Sequence, residues 1–135
     1  MITYFTKCDH CGYRLGFSHG MLMSFQRTNA ELFKKMKQGE FGEDFKKVAS
    51  NNSKAQAYHS SELFRCPKCG ELEGGKIIGL DDRRNRIRIE TPHNCKRCNT
   101  KMEVLDGFIR YSQYELICPC CKEKLCSPIP IKFVD

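Results

Sequence analysis

Eight of the ten cysteines in this 135-residue chain form four pairs, and two residues separate the members of each pair. A Cys-x-x-Cys pair in a tight turn can direct both thiolates at one metal ion, and two such pairs complete a tetrahedral shell of four sulfurs. The spacing therefore predicts two metal sites, with two Zn²⁺ per chain as the expected cofactors. The predicted ligands are Cys8, Cys11, Cys66, Cys69, Cys95, Cys98, Cys118 and Cys121.

The four pairs, numbered in chain order, can share two metal ions in three ways. A sequential pairing joins the first to the second and the third to the fourth. A nested pairing joins the second to the third and the first to the fourth, and a crossed pairing joins alternate pairs. Loop-closure entropy grows only logarithmically with loop length, so it separates the three weakly. Neighbours in sequence are usually neighbours in space, which favours the sequential pairing. The nested pairing stays open, and so does the choice between zinc and iron.

Alternating, strand-like residues flank most of the pairs and predict a mostly β fold of the small α+β kind, with the pairs on β-hairpins. An Asp-Gly turn signal at 106–107 precedes a further strand-like segment over 108–117. Because the chain is short and lacks Trp, we expect a modest core, and such domains usually need metals or disulfides. The other predicted strands cover residues 2–6, 13–17, 61–65, 76–80, 86–90 and 101–105.

The segment over about 29–57 differs from the rest, because its apolar residues recur at helical spacing. Thr28 and Glu31 form a capping-box pattern that predicts the start of a first helix, and Phe41 and Phe45 belong to a second. We therefore expect two short helices inserted between the first and second pairs. With the sequential pairing, residues 1–92 would form a first zinc ribbon carrying this insert and residues 93–135 a second ribbon, together one compact unit.

Two segments resemble known metal ribbons. Residues 8–13 (Cys-Asp-His-Cys-Gly-Tyr) and 66–70 (Cys-Pro-Lys-Cys-Gly) are similar to the two knuckles of rubredoxin-like ribbons. This resemblance implies that the first and second pairs share a metal, with electron transfer as a remote alternative function. The second and third pairs, with Asp81 and Asp82 midway, are similar in layout to the ribbon of transcription elongation factors, where an acidic hairpin tip reaches a polymerase active centre. The whole chain resembles small bacterial or phage zinc-ribbon proteins.

Catalysis is not expected from these sites. A catalytic zinc keeps an open position for water and usually has a nearby His or Glu, whereas four thiolates fill the shell. The second and third pairs, with Asn99 and Lys101, are also similar to the frame of HNH endonucleases, which carry a general-base histidine on a hairpin and helix of their own. His93 is the only histidine between these pairs. A metal-dependent nuclease is therefore a remote alternative, and the prediction is a protein without enzymatic activity.

Net charge, cysteine content and the lack of membrane or signal patterns indicate where the protein is located. The formal net charge is +7, and eight thiolates with two Zn²⁺ would add eight negative and four positive charges, leaving about +3. The sequence has no apolar run long enough for a membrane span, and its first residues lack the pattern of a secretory signal. Ten cysteines without an export signal favour metal binding in a reducing compartment. We therefore expect a cytoplasmic protein without a membrane partner.

Basic residues before and around the third pair predict a nucleic-acid partner. On a regular strand Arg84, Arg86 and Arg88 would point to one face, which aromatic side chains could flank. The polar face of a one-sided sheet has the same pattern, so a solvated surface is the competing interpretation. The predicted nucleic-acid-binding residues are Arg84, Arg86, Arg88, Arg97 and Lys101, with Tyr111 and Tyr114 as flanking aromatics.

A protein partner is the alternative hypothesis. The helical insert or an exposed sheet edge could dock such a partner, provided that phenylalanines of the insert form an exposed patch. A small-molecule substrate is not expected. Cys120 and Cys126 are left over from the four pairs and are expected to be spare thiols, with ligand exchange at a metal site or an intermolecular disulfide on oxidation as open alternatives. The phenylalanines of the predicted patch are Phe25, Phe33, Phe41 and Phe45.

Overall fold

The structure, a computed structural model, describes residues 2–20, 26–105 and 116–133, without the side chains of 26–28 and 132–133. This part of the chain is mostly β and contains two helices, as predicted. The turn signal at 106–107 and most of the strand-like segment over 108–117 lie outside the described residues. The elements are β1 (Ile2–Lys7), β2 (Arg14–His19), α1 (Gln26–Lys37), α2 (Glu43–Asn51), β3 (Gln56–Arg65), β4 (Leu72–Asp82), β5 (Ile87–Glu90), β6 (Glu103–Leu105) and β7 (Ile129–Phe133).

The described strands form two sheets. The order is β2-β1-β7 in the three-stranded sheet and β5-β4-β3-β6 in the four-stranded sheet. β1 is antiparallel to both β2 and β7, so the first strand of the chain pairs with the last described one. β3 is antiparallel to β6, with Arg65 opposite Glu103, and β4 is antiparallel to β5. Strands far apart in sequence are therefore paired in both sheets.

The chain divides into two units with separate cores. Unit 1 contains Met1–Met21, Ser61–Lys76 and Pro92–Asp135, and unit 2 contains Leu22–Ser60 and Ile77–Thr91. Two of the predicted metal ligands, Cys8 and Cys118, belong to the core of unit 1. The other buried residues of that core are Phe17, Leu63, Leu72, Leu105, Leu116 and Leu125. The buried core of unit 2 consists of Met36, Phe45, Ala49, Ala55, Ala57 and Leu80.

The two helices of unit 2 correspond to the predicted insert, but the predicted capping box is wrong. α1 begins at Gln26, so Thr28 lies inside the helix and not at its N-cap. α2 begins after Gly42, which makes no side-chain cap, and Glu43 and Asp44 in its first turn complement the helix dipole. No helix in the described part of the chain is long and apolar enough to cross a membrane.

Candidate metal centres

Each Cys-x-x-Cys pair lies in a six-residue turn with the same backbone hydrogen bonds. We call these the cysteine turns and number them in chain order, 8–13, 66–71, 95–100 and 118–123. In each turn the amide of the fifth residue donates to the carbonyl of the first cysteine, at 2.8–3.0 Å. The amide of the first cysteine donates to the carbonyl of the sixth residue, at 2.8–2.9 Å. One local backbone geometry is thus formed four times by four different sequences.

The fifth residue of every cysteine turn has a left-handed backbone. Its φ is 81° at Gly12, 77° at Gly70, 58° at Asn99 and 66° at Lys122. Glycine adopts this conformation at no steric cost and asparagine tolerates it, whereas another side chain costs roughly 1–2 kcal/mol. The fourth turn therefore keeps a strained lysine where the first two turns have glycine.

The second cysteine of every turn accepts a backbone hydrogen bond at its sulfur. The donors are the amides two residues further along the chain, those of Tyr13, Glu71, Thr100 and Glu123. An N–H group directed at sulfur stabilises the thiolate, which is the form that binds metal. The cysteine turn thus supplies the sulfurs and also part of the charge compensation that thiolate ligands need.

The four turns combine into two clusters of four cysteines, and within each cluster all sulfurs lie within 4.8 Å of one another. Cys8 and Cys11 meet Cys118 and Cys121, with Sγ–Sγ distances of 3.5 Å from Cys8 to Cys121 and from Cys11 to Cys118. We call this the first centre. These separations exceed a disulfide bond of about 2.05 Å, and all ten cysteines are free.

The second centre brings Cys66 and Cys69 to Cys95 and Cys98. Its Sγ–Sγ distances are 3.4 Å from Cys66 to Cys98, 3.6 Å from Cys69 to Cys95 and 3.8 Å from Cys69 to Cys98. A tetrahedral zinc with Zn–S bonds of about 2.3 Å places its sulfurs about 3.8 Å apart. Both clusters could therefore hold a metal ion with little rearrangement of the chain.

This grouping is the nested pairing, so the sequential pairing that sequence proximity favoured is wrong. The rubredoxin-like joining of the first and second pairs is wrong for the same reason. Strand pairing explains the outcome, because β7 follows the fourth turn and pairs with β1, which leads into the first turn. β6 likewise follows the third turn and pairs with the end of β3, which leads into the second. The predicted boundary between two ribbons at residue 92 was based on the sequential pairing and is therefore no longer supported.

The ligand set of each centre is closed. Cys8, Cys66, Cys95 and Cys118, the first cysteines of the four turns, are each at most 2 % exposed. Among the described residues, the groups with metal-ligand spacing are these two four-cysteine clusters. Four thiolates complete a tetrahedral shell and leave no position for water or substrate, which is the pattern of a structural site.

Within each cluster the cysteine thiols differ widely in pKa. In the second centre, hydrogen bonding with the Thr100 side chain and with its backbone amide, opposed by burial, lowers the pKa of Cys98 to about 6. In the first centre, burial disfavours the Cys118 thiolate, but the amides of Cys121 and Cys120 and neighbouring thiols lower its pKa to about 6. At Cys11 the Tyr13 amide lowers the pKa, yet the shared thiol hydrogen bonds and burial outweigh it and raise the value to about 12. At Cys69, in the second centre, the Glu71 amide lowers the pKa, yet burial and the shared thiol hydrogen bonds outweigh it and raise the value to about 12. Metal binding must therefore displace protons from both centres.

Glu73 supports the third cysteine turn, a role that the sequence analysis missed. One carboxylate oxygen accepts the Lys96 amide at 3.2 Å, and the other accepts Nε2–H of His93 at 2.8 Å. The His93 ring stacks on Phe64 with centroids 4.3 Å apart. A Cβ at Gly75 would come within 2.7 Å of the His93 ring, so the ring needs glycine at that position of β4. The sequence signal for this contact was the glycine pair at 74–75, because glycine within a strand often marks a site where another group packs closely against the backbone.

The histidines do not extend the ligand sets. His10 lies exposed in the first cysteine turn, and His19 Nδ1 lies 3.0 Å from Glu62 Oε2. His93 is held by Glu73 as described above. His59 lies on β3 and is half-buried. None of the four belongs to a described cluster with metal-ligand spacing.

The predicted basic stripe has a different geometry from the expected one. β5 begins at Ile87, so Arg84 and Arg86 lie in the turn between β4 and β5 and not on a strand. Asp82 causes this, because its carboxylate accepts the amides of Arg84 and Asn85, and Arg86 then takes a φ of 55°. Arg88 is on β5, where its Nε donates to the hydroxyl of Tyr58 at 3.0 Å.

The other two predicted basic residues lie in unit 1. Arg97 is exposed in the third cysteine turn, with NH1 3.9 Å from Glu71 Oε2. Lys101 follows that turn and forms an isolated β-bridge with Asn94. Tyr111 and Tyr114 lie outside the described residues. Asp82, part of the predicted acidic tip, is only 3 % exposed and is used inside the turn.

The predicted patch of exposed phenylalanines is not formed by the described residues. Phe45 is buried, and Phe33 and Phe41 are partly buried against the core of unit 2. Phe25 lies outside the described residues. The helical spacing of these residues therefore marks the core-facing side of the helices.

The two spare cysteines differ in environment. Cys120 is exposed inside the fourth turn. The Cys126 thiol donates to Asp9 Oδ2 at 3.1 Å, and this carboxylate, together with burial, raises the pKa of Cys126. Neither thiol belongs to a four-cysteine cluster.

Comparisons with protein-family models, with curated proteins and with solved structures give no significant match. Function is therefore inferred from the geometry of the chain itself.

Proposed function

We propose that this chain is a non-enzymatic binding protein in which two structural Zn(Cys)₄ centres hold unit 1 together and an arginine-rich turn in unit 2 binds nucleic acid. The zinc part of this proposal is supported by the two four-cysteine clusters, because each supplies four sulfurs at the separations of a tetrahedral zinc site. Reduced thiolate ligands need a reducing compartment, so a cytoplasmic location is part of the proposal.

The arginine turn, which we define as residues 83–86, supports the nucleic-acid half. Arg83, Arg84 and Arg86 are all exposed within four residues. Arg83 lies 3.7 Å from Asp81, while no described carboxylate forms an ion pair with Arg84 or Arg86. Two guanidinium groups are thus available at one tip for the phosphate oxygens of a nucleic acid.

The turn is also held in one conformation. Asp82 accepts the backbone amides of Arg84 and Asn85 at 3.1 and 3.3 Å, and Asn85 Nδ2 donates to Asp82 at 2.8 Å and to Asn52 Oδ1 at 2.9 Å. The Asn85 side chain and these amides lower the pKa of Asp82, which keeps this carboxylate ionised within the turn. A preorganised tip loses less conformational entropy when it contacts phosphate.

Arg88 is left out of the proposed contact because its guanidinium already has partners within the protein. Its Nε donates to the Tyr58 hydroxyl, its NH2 lies 3.7 Å from Glu90, and its guanidinium lies over the Tyr58 ring at 5.3 Å. This arginine is already engaged by its neighbours. The nucleic-acid contact is therefore assigned to Arg84 and Arg86.

The experiment is fluorescence anisotropy of labelled single-stranded RNA and DNA of mixed sequence, titrated with zinc-loaded protein at several salt concentrations. We expect affinity to fall steeply with salt, and the Arg84→Glu/Arg86→Glu variant to lose at least tenfold in affinity and about two units of the logarithmic salt slope. Lys34→Glu/Lys35→Glu, which makes the same charge change on exposed α1 residues, is the matched control. Equal losses of affinity in both variants would mean that net charge alone causes the effect. If the wild type does not bind, the proposed nucleic-acid binding is rejected.

A protein partner is a second candidate, favoured by one observation on β7. Ile129 and Ile131 are 61 % and 62 % exposed on this outer strand of the described three-stranded sheet. Exposed apolar side chains on such a strand favour pairing with another chain. The test is light scattering of the wild type and of Ile129→Ser/Ile131→Ser. A salt-insensitive assembly that the double variant loses would support a protein partner.

A further inference from the structure

Lys122 connects the two cysteine clusters. It follows Cys121 of the first centre, and its Nζ donates to the carbonyl of Cys69, in the second centre, at 3.5 Å. The same Nζ donates to the carbonyl of Pro119 in its own turn at 3.1 Å. A Cβ built at Gly70 would lie 3.7 Å from this Nζ, an ordinary van der Waals distance, so the ammonium packs against the second turn.

The backbone of Lys122 points to a role for its side chain. At the equivalent position the first and second turns have glycine and the third has asparagine, residues that accept a left-handed backbone. Lys122 adopts φ 66° without that advantage. Strained backbone at a non-glycine residue is a reason to look for function in its side chain. The described contacts of this side chain are those with the second and fourth turns.

We infer that Lys122 is a positioning residue that couples the loading of the two metal centres. Metal in the first centre fixes the fourth turn and thereby places the ammonium against Cys69. The hydrogen bond to the Cys69 carbonyl then holds the second turn in its ligating conformation. The second centre consequently binds metal more tightly when the first is occupied, and by linkage the reverse also holds.

The positive charge of Lys122 also favours binding of the second metal ion. A zinc with four thiolates carries a net charge of −2, so two loaded centres in one unit repel each other. An ammonium that contacts both turns offsets part of this repulsion at the moment when the second ion binds. Because Lys122 is exposed, solvent weakens the effect. We therefore expect a coupling of about three- to tenfold in affinity, the range of one modest hydrogen bond.

The experiment is native mass spectrometry of the full chain with about one equivalent of zinc, buffered by a competing chelator. It compares the one-zinc fraction of the wild type with those of Lys122→Gly and Lys122→Asn, which lack the ammonium and accept the left-handed backbone. We expect the one-zinc species to increase and the ratio of second to first binding constants to fall about three- to tenfold. Lys122→Arg should retain most of the coupling.

Lys124→Gln is the matched control, because Lys124 is an exposed lysine two residues away in the same region. A merely structural role would change stability at saturating zinc and leave the zinc distribution alone. Identical distributions for wild type, Lys122→Gly and Lys122→Asn would overturn the inference. The Lys122 inference rests on the proposed binding of two zinc ions. The two can fail separately, because a wild type that never holds two ions would reject the zinc proposal itself.

Discussion

The ring of Tyr58 lies against the backbone of Gly79, where a Cβ would come within 2.2 Å of the tyrosine Cζ. This contact lets the phenol reach β5, where its hydroxyl donates to Glu90 at 2.6 Å and accepts from Arg88 at 3.0 Å. Gly79 itself is opposite Glu90 in the β4–β5 register. A glycine inside a strand is thus explained by the aromatic side chain that covers it.

Gly79→Ala should destabilise unit 2, because the added methyl group displaces the Tyr58 ring from both hydrogen-bond partners. We expect a loss of about 1–3 kcal/mol in the free energy of unfolding, measured by urea denaturation of zinc-loaded protein. Gly16→Ala is the control, since the nearest atom to its Cβ is the Tyr4 carbonyl oxygen at 3.9 Å. Equal effects of the two substitutions would mean that the Tyr58 contact is unimportant.

Tyr58 should also titrate late. Burial, and after it the hydrogen bond to Glu90, raise the pKa of Tyr58 from 10.0 to about 12. The folded protein therefore keeps a proton that the unfolded chain loses near pH 10, so this contribution to stability is present below pH 10 and is lost between pH 10 and 12. Absorbance at 295 nm should show that Tyr58→Phe removes a phenol titrating well above pH 10. If the removed phenol titrates near pH 10 in folded protein, the described burial and hydrogen bonding are wrong.

Metal content should distinguish ligating from spare cysteines. Cys98→Ser removes a sulfur from the second centre, and we expect it to lower the zinc content from two ions to one, with loss of stability. Cys120→Ser changes a thiol that belongs to neither cluster, so two ions should remain. Inductively coupled plasma mass spectrometry of dialysed protein makes the comparison. Loss of zinc from Cys120→Ser would show that ligands exchange within the fourth turn.

Glu73 should stabilise the third cysteine turn through its two acceptor oxygens. Glu73→Ala leaves the Lys96 amide and the His93 ring without this partner, and we expect it to cost about 1–3 kcal/mol and to speed zinc loss to a chelator. Glu71→Ala is the control, because the described ion pair of its carboxylate is a 3.9 Å contact with Arg97, worth about 1 kcal/mol or less. Similar chelation rates for the two variants would contradict the role of Glu73.

The cysteine turns were predictable from sequence because their chemistry is local. Two residues between cysteines and a glycine after the second one, as at Gly12 and Gly70, specify the turn directly. The third and fourth turns have Asn99 and Lys122 at that position, so their shared geometry became visible only in the backbone. The prediction of two helices between the first and second turns was also confirmed, since it depended on local periodicity.

The pairing of the turns was not predictable, because it depends on strands that are distant in sequence. β7 carries no mark that selects β1 as its partner, and the closure entropy of a long loop differs little from that of a short one. Proximity in sequence therefore gave the wrong answer. The predicted strand position of Arg84 and Arg86 was wrong for a related reason. Period-two alternation over 84–88 could not reveal that the Asp82 carboxylate would accept the amides of Arg84 and Asn85 in a turn.

The most direct test of the two-centre account is the zinc content of paired cysteine variants, measured by native mass spectrometry of freshly reduced protein. Cys11→Ser/Cys121→Ser removes two ligands from the first centre and none from the second, so we predict one tightly bound zinc per chain. Cys11→Ser/Cys69→Ser removes one ligand from each centre and should leave no intact four-thiolate site. One tightly held zinc in the Cys11/Cys69 variant, together with its absence from the Cys11/Cys121 variant, would contradict the nested centres and restore the sequential pairing.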